Sequence, residues 1–131
     1  LQKEALAAHV HQLHALAAAA IDDRDELAAQ VQVALRAASG TSLAILDACA
    51  AALEMSEVAA RLGSKVALSD AGAAAAAAAA GAEGAALTVA INLAVIEDAD
   101  FVRRTRDTAD DLTMAVKRRH AQVVAEVRGQ L

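Results

Sequence analysis

Residues 63–101 read GSKVALSDAGAAAAAAAAGAEGAALTVAINLAVIEDADF, and this stretch decides the fold. A polar Ser69-Asp70 pair opens it, eight unbroken alanines fill positions 73–80, and Gly81 and Gly84 follow. Asn92 is the lone amide in the apolar run that closes it. A helix so poor in side-chain volume lets neighbouring backbones approach closely, so its contacts rest on van der Waals packing rather than on large side chains. Polar groups at its two ends then fall in or beside a tightly packed helical interface.

The whole chain shares this character. Its 131 residues include 40 alanines, roughly half of the 57% hydrophobic content, with one Phe and no Trp or Tyr. Methyl groups stabilise weakly when buried, so burial against a second subunit is the expected remedy for a thin core. With no proline and abundant Ala, Leu, Glu, Gln and Arg, helix is predicted almost everywhere. A net charge of −5 lacks the basic face of a nucleic-acid binder. Cys49, the only cysteine, excludes an intrachain disulfide and points to a reducing, cytoplasmic compartment. No signal-peptide pattern opens the chain. Glu83 is the only charge within residues 71–96, a span long enough for a bilayer. Alanine adds little to insertion, Glu83 sits mid-span and no aromatic marks an interface, so a buried soluble helix is expected, with no membrane role.

The first helix is predicted over residues 1–20, with Leu6, Val10, Leu13 and Leu16 on one stripe. Ile21-Asp22-Asp23 breaks that pattern and supplies acids suited to a new helix N-terminus. A second helix is predicted from about Arg24 to Leu62, kinked or split at Ser39-Gly40-Thr41-Ser42, with Leu43, Leu46, Ala50 and Leu53 on its buried face. Gly63 suits a helix C-terminus, residues 63–68 a loop, and Ser69 or Asp70 an N-cap for the alanine helix. Glu97-Asp98-Ala99-Asp100 starts the last helix, whose apolar seam is Val102, Ala109, Leu112, Val116, Val123 and Val127. The expected architecture is all-α: an antiparallel multihelical bundle of four or five long helices, dimeric, formed by residues 1–131 as one domain.

Few side chains offer chemistry. His9, His11 and His14 lie on one helix, only His11 and His14 share a face, and His120 is isolated, so no metal is expected. Cys49 has no basic sequence neighbour and reads as a small core residue. Arg103 with Asp107, and Arg106 with Asp110, stand at i, i+4 and predict a solvated, ion-paired face. Asp70 has two readings: a helix cap, or a carboxylate at the mouth of a groove that stabilises a cation or relays a proton. Asn92, pointed inward, would need buried hydrogen-bond partners, either a neighbouring backbone or a polar ring.

These residues together resemble the cyclodeaminase/cyclohydrolase family, which includes formiminotetrahydrofolate cyclodeaminase and methenyltetrahydrofolate cyclohydrolase. Its pattern reads approximately G-N-x-x-x-x-S-D, a small-residue helix, L-N-V-x-I-N-L, then an acidic turn and Phe. Here those elements stand as Gly63-Ser64, Ser69-Asp70, Leu87-Thr88-Val89-Ala90-Ile91-Asn92-Leu93, and Asp98 with Phe101. Residues 34–62 fit the family's long preceding helix, and the likeness extends over about residues 24–120. The resemblance implies an all-helical, folate-dependent homodimer without a metal. Its substrate would be a tetrahydrofolate derivative carrying a one-carbon unit between N5 and N10. Water is added to the methenyl cation, or a formimino group is closed with loss of ammonia. On this reading Asp70 is the catalytic residue, Ser69 and Asn92 line or support the pterin groove, and Lys65 holds the glutamate tail.

The chain departs from the pattern in three places. The glycine-rich G-G-G-S segment is absent, and Ala17-Ala18-Ala19-Ala20 runs directly into Ile21-Asp22-Asp23 where an acidic-aromatic segment belongs. The chain is therefore expected to lack an N-terminal segment and, near residue 20, a loop of about twenty residues. Ser64 and Thr88 replace family asparagines. Beside the enzyme stands a second class: a non-catalytic helical dimer, a degenerate paralogue acting as a scaffold.

Overall fold

The computed structural model describes the backbone of residues 2–130 and the side chains of residues 11–130. Among the described residues there are three helices and no strand: α1 (Gln2–Leu62), α2 (Ala67–Leu93) and α3 (Ala99–Gly129). The chain divides into two units, one ending at Ala34 and the other beginning at Leu35.

Two expected breaks do not occur. α1 continues through Ile21-Asp22-Asp23 and through residues 39–42 as a single helix of 61 residues. Acids mark a start only where something stops the preceding helix, and neither proline nor glycine stands near residue 22. At residues 39–42 the hydroxyls fold back onto the helix: Ser39 Oγ donates to the Leu35 carbonyl at 2.9 Å and Thr41 Oγ1 to that of Ala37 at 3.2 Å. This back-bonding lets such residues occupy a helix interior. Three helices therefore replace the expected four or five.

In the unit ending at Ala34, every side chain from residue 11 to 31 is exposed, including Leu13, Leu16, Ile21, Leu27 and Val31. Of the predicted stripe, Leu13 and Leu16 are among the described side chains, and both are exposed. Leu6, His9 and Val10 lie outside the residues whose side chains are described.

The second unit holds the core. Leu46, Leu53 and Ala60 come from α1, Ala109, Val116 and Val123 from α3, and between them α2 contributes Ala71, Ala75, Ala82, Ala85, Val89 and Leu93. The α2 positions recur at three- and four-residue spacings, one face of a helix. The other face of α2 is open: Ala73, Ala77, Ala80, Gly84, Leu87 and Ile91 are all exposed. Burial of the alanine helix within one chain is thus one-sided. α2 alone among the described helices is long and apolar enough to cross a membrane by length and composition, with 22% of its apolar window buried.

The turns explain the helix ends. Gly63 N–H donates to the Ala59 carbonyl at 2.8 Å and closes α1. α2 starts at Ala67, two residues before Ser69, and its N-cap is Val66 with no side-chain cap bond. Neither Ser69 nor Asp70 is the cap; both stand in the first turn, where an acid still meets the positive end of the helix dipole. α3 begins as its sequence predicts: Asp98 is extended and its carboxylate accepts from Phe101 N–H at 2.9 Å. Arg103 pairs with Asp100 at 2.9 Å rather than with Asp107, which places the acid first along the helix, the stronger order. On the inner side, Arg119 of α3 reaches Glu54 and Glu57 of α1 at 3.6 and 3.2 Å.

Candidate functional site

α2 carries most of the candidate residues and spreads them along its length. Lys65 is exposed in the turn between α1 and α2, and Ser69 and Asp70 are exposed in the first turn of α2. These three share one end of the helix. Asn92 is half-buried in the last turn, 22 residues beyond Asp70. At 1.5 Å per residue the two are about 33 Å apart along the axis, yet at 100° per residue they stand only about 40° apart around it. One chain therefore puts Asp70 and Asn92 on nearly the same face of α2 but at opposite ends. No groove within a single chain holds both.

Their polar groups are free of competing partners. Among the described residues, Asp70 and Lys65 make no ion pair and the Asn92 amide makes no hydrogen bond. Thr88, which replaces a family asparagine one turn before Asn92, spends its hydroxyl on its own helix, donating to the Gly84 carbonyl at 3.0 Å.

A second arrangement exists inside one chain. α2 and α3 enclose an open groove of about 550 Å³, a volume within the range of small-molecule sites. Its floor is the methyl face of α2, with Ala79, Ala82 and Ala86, and its polar lining is Glu83, Asp110, Thr113, Lys117 and His120. Thr113 is turned inward to the Ala109 carbonyl at 2.7 Å, leaving two carboxylates, one ammonium and one imidazole for a ligand. Sequence reading treated His120 as isolated. Its three- and seven-residue offsets from Lys117 and Thr113 put all three on one face, and that shared face was the available signal.

A further hollow of about 460 Å³, lined by Glu57, Arg61, Glu126 and Gln130, is internally satisfied. Glu57 binds Arg61 and Arg119, and Gln130 binds Glu126 at 2.8 Å and the Ala60 carbonyl at 3.0 Å. These bonds hold α3 to α1 and leave little for a ligand. Among the described residues, no three His, Cys, Asp or Glu side chains are grouped to hold a metal ion. His11 and His14 are exposed. Cys49 is a free, half-buried thiol on α1, and a Cβ at Gly81 would lie 3.1 Å from its sulfur, so α2 passes close to α1 there.

Comparison with curated proteins gives no match. The family model described as formiminotransferase-cyclodeaminase matches residues 6–111. The matched range takes in Lys65, Ser69, Asp70 and Asn92, whereas Thr113, Lys117 and His120 of the groove fall beyond it. With a match over most of its length and an all-helical fold, the chain belongs to the formiminotransferase-cyclodeaminase family.

Proposed function

We propose that the protein is a cytoplasmic, homodimeric enzyme of folate-dependent one-carbon metabolism. It either adds water to 5,10-methenyltetrahydrofolate or closes 5-formiminotetrahydrofolate with loss of ammonia. The observation that carries this reading is the family match over residues 6–111, which includes every residue of the Lys65, Ser69, Asp70 and Asn92 set. In the hydrolytic reaction, water oxygen bonds to the methenyl carbon and one water proton is released; the C–N5 bond then opens as the remaining hydroxyl proton passes to N5, leaving a formyl group on N10. The Asp70 carboxylate stabilises the cation and takes the released water proton. Ser69 and Asn92 hold the polar edge of the pterin, and Lys65 meets the glutamate carboxylates. The homodimer and the antiparallel bundle belong to the same proposal, as does the absence of nucleic-acid and membrane partners.

A second placement of the ligand has one observation in its favour: the α2–α3 groove is formed by a single chain. There the alanine floor would face the flat pterin, Glu83 would accept from its amino edge and Lys117 would meet the tail. Calorimetric titration with a tetrahydrofolate derivative tests both. The first placement predicts that Lys65→Gln weakens binding by about tenfold, one lost charge-assisted contact, while Lys117→Gln leaves it unchanged. The reverse pattern selects the groove. Absence of binding in the wild-type protein favours the scaffold class instead.

A further inference from the structure

We propose that the α2–α3 groove is a binding site for a free zwitterion, an α-amino acid with a bulky apolar side chain. The Lys65, Ser69, Asp70 and Asn92 set has no part in it, and the site does not rest on the folate reading. Thr113, Lys117 and His120 of its lining lie beyond the range of the family match.

The groove carries charges of both signs above an apolar floor. Asp110, Thr113, Lys117 and His120 follow one another at spacings of three, four and three, one face of α3. Asp110 and Lys117 are therefore about 10 Å apart along the helix, and His120 stands about 4.5 Å further on. Two features fix how α3 lies along α2. The turn at residues 94–98 joins Leu93 to Ala99, and at the far end a Cβ on Gly72 would lie 3.8 Å from a Val127 methyl. Glu83 is eleven residues from Gly72 and Lys117 ten from Val127, about 17 and 15 Å along their helices. The two stand at one level on opposite walls of the groove. Yet they do not pair: among the described residues, Glu83, Asp110, Lys117 and His120 are in no ion pair and no side-chain hydrogen bond.

That pattern selects the ligand. A simple cation would meet Lys117 and His120, and a simple anion would meet Glu83 and Asp110. A neutral apolar molecule would leave all four without partners. A zwitterion answers both signs at once. Its ammonium donates to Glu83 and its carboxylate accepts from Lys117, each a charge-assisted bond. His120, on the basic side, offers a second donor to the carboxylate. Exposed ion pairs alone contribute little in water, so the floor must add the rest. It consists of Ala79, Ala82 and Ala86 with Val116, and Ala82 and Val116 are buried. A bulky apolar side chain laid there removes its own surface and the methyl surface from water. The volume of about 550 Å³ admits such a molecule, and the open side gives it entry.

An NMR shift titration with L-phenylalanine, in the absence of any folate, tests the site. A Kd of about 1 mM is expected for a ligand of this size in an open groove. Glycine has the same charges and no side chain, and should bind at least about tenfold more weakly. N-acetyl-L-phenylalanine lacks the ammonium and L-phenylalaninamide the carboxylate, and each should lose about tenfold on the wild-type protein. The losses should map onto the walls: Glu83→Gln makes binding indifferent to acetylation, and Lys117→Gln makes it indifferent to amidation. Both side chains are exposed, so neither substitution reaches the core. No shifts with L-phenylalanine at about ten times the expected Kd, undiminished binding of either derivative, or unchanged binding by both variants would each overturn the proposal. Displacement of the amino acid by a tetrahydrofolate derivative would overturn it too, and would give the groove to the second folate placement. The amino-acid titrations contain no folate, so their failure and failure of the folate reading are separate results.

Discussion

Asp70→Asn separates chemistry from folding at one atom pair. α2 starts at Ala67 with Val66 as its cap, so the Asp70 side chain is not the capping group. Its stabilising contribution is the interaction of a carboxylate with the first turn of the helix dipole, within about 1 kcal/mol at an exposed position. For a chain of this length, loss of that term lowers the melting temperature by less than about 4 °C. The side chain keeps its volume and position. Catalytically, the carboxylate is asked to stabilise a cationic one-carbon centre and accept a proton, and its removal should lower kcat by about 10²-fold or more. The assay is the loss of methenyltetrahydrofolate absorbance, read beside a thermal melt of the same sample. Unchanged kcat in a folded Asp70→Asn protein refutes the assignment. A parallel collapse of helicity and turnover refutes it too, because the residue would then be structural.

Three further outcomes test the fold. Leu53, fully buried between the helices of the second unit, should cost about 2–5 kcal/mol as Leu53→Ala, measured by urea unfolding. Gly63→Ala places a Cβ against the Ala59 carbonyl at the α1 terminus, and the backbone shift it forces should cost about 1–3 kcal/mol by the same measurement. Asp98→Ala removes the α3 cap bond to Phe101 and the 3.8 Å ion pair with Arg36, and should lower stability by about 0.5–2 kcal/mol.

Where a local signal was complete, the sequence could be read. The acidic run Glu97-Asp98-Ala99-Asp100 marked the start of α3, and the seam from Val102 to Val127 marked its buried face. Leu46 and Leu53 on α1 were legible from spacing alone and are wholly buried. Ile21-Asp22-Asp23 misled because acids favour a helix start without ending the helix before it; only a breaker residue does that, and the chain has none there. Ser69 and Asp70 misled as caps because their composition suits the role, while Val66, a poor capping residue, occupies it. The α2–α3 groove was not legible, since it exists only once Lys117 and His120 of α3 face the alanines of α2. The separation of Asp70 from Asn92 along α2 was available from helix rise alone.

The proposal on which the assigned folate roles depend is that this chain performs folate one-carbon chemistry. Purified protein incubated with 5,10-methenyltetrahydrofolate, and separately with 5-formiminotetrahydrofolate, tests it most directly through methenyl absorbance and released ammonia. We predict saturable turnover of one of the two substrates at a rate well above the buffer reaction. Rates equal to buffer for both, from helical and dimeric protein, would contradict the claim and leave a helical scaffold.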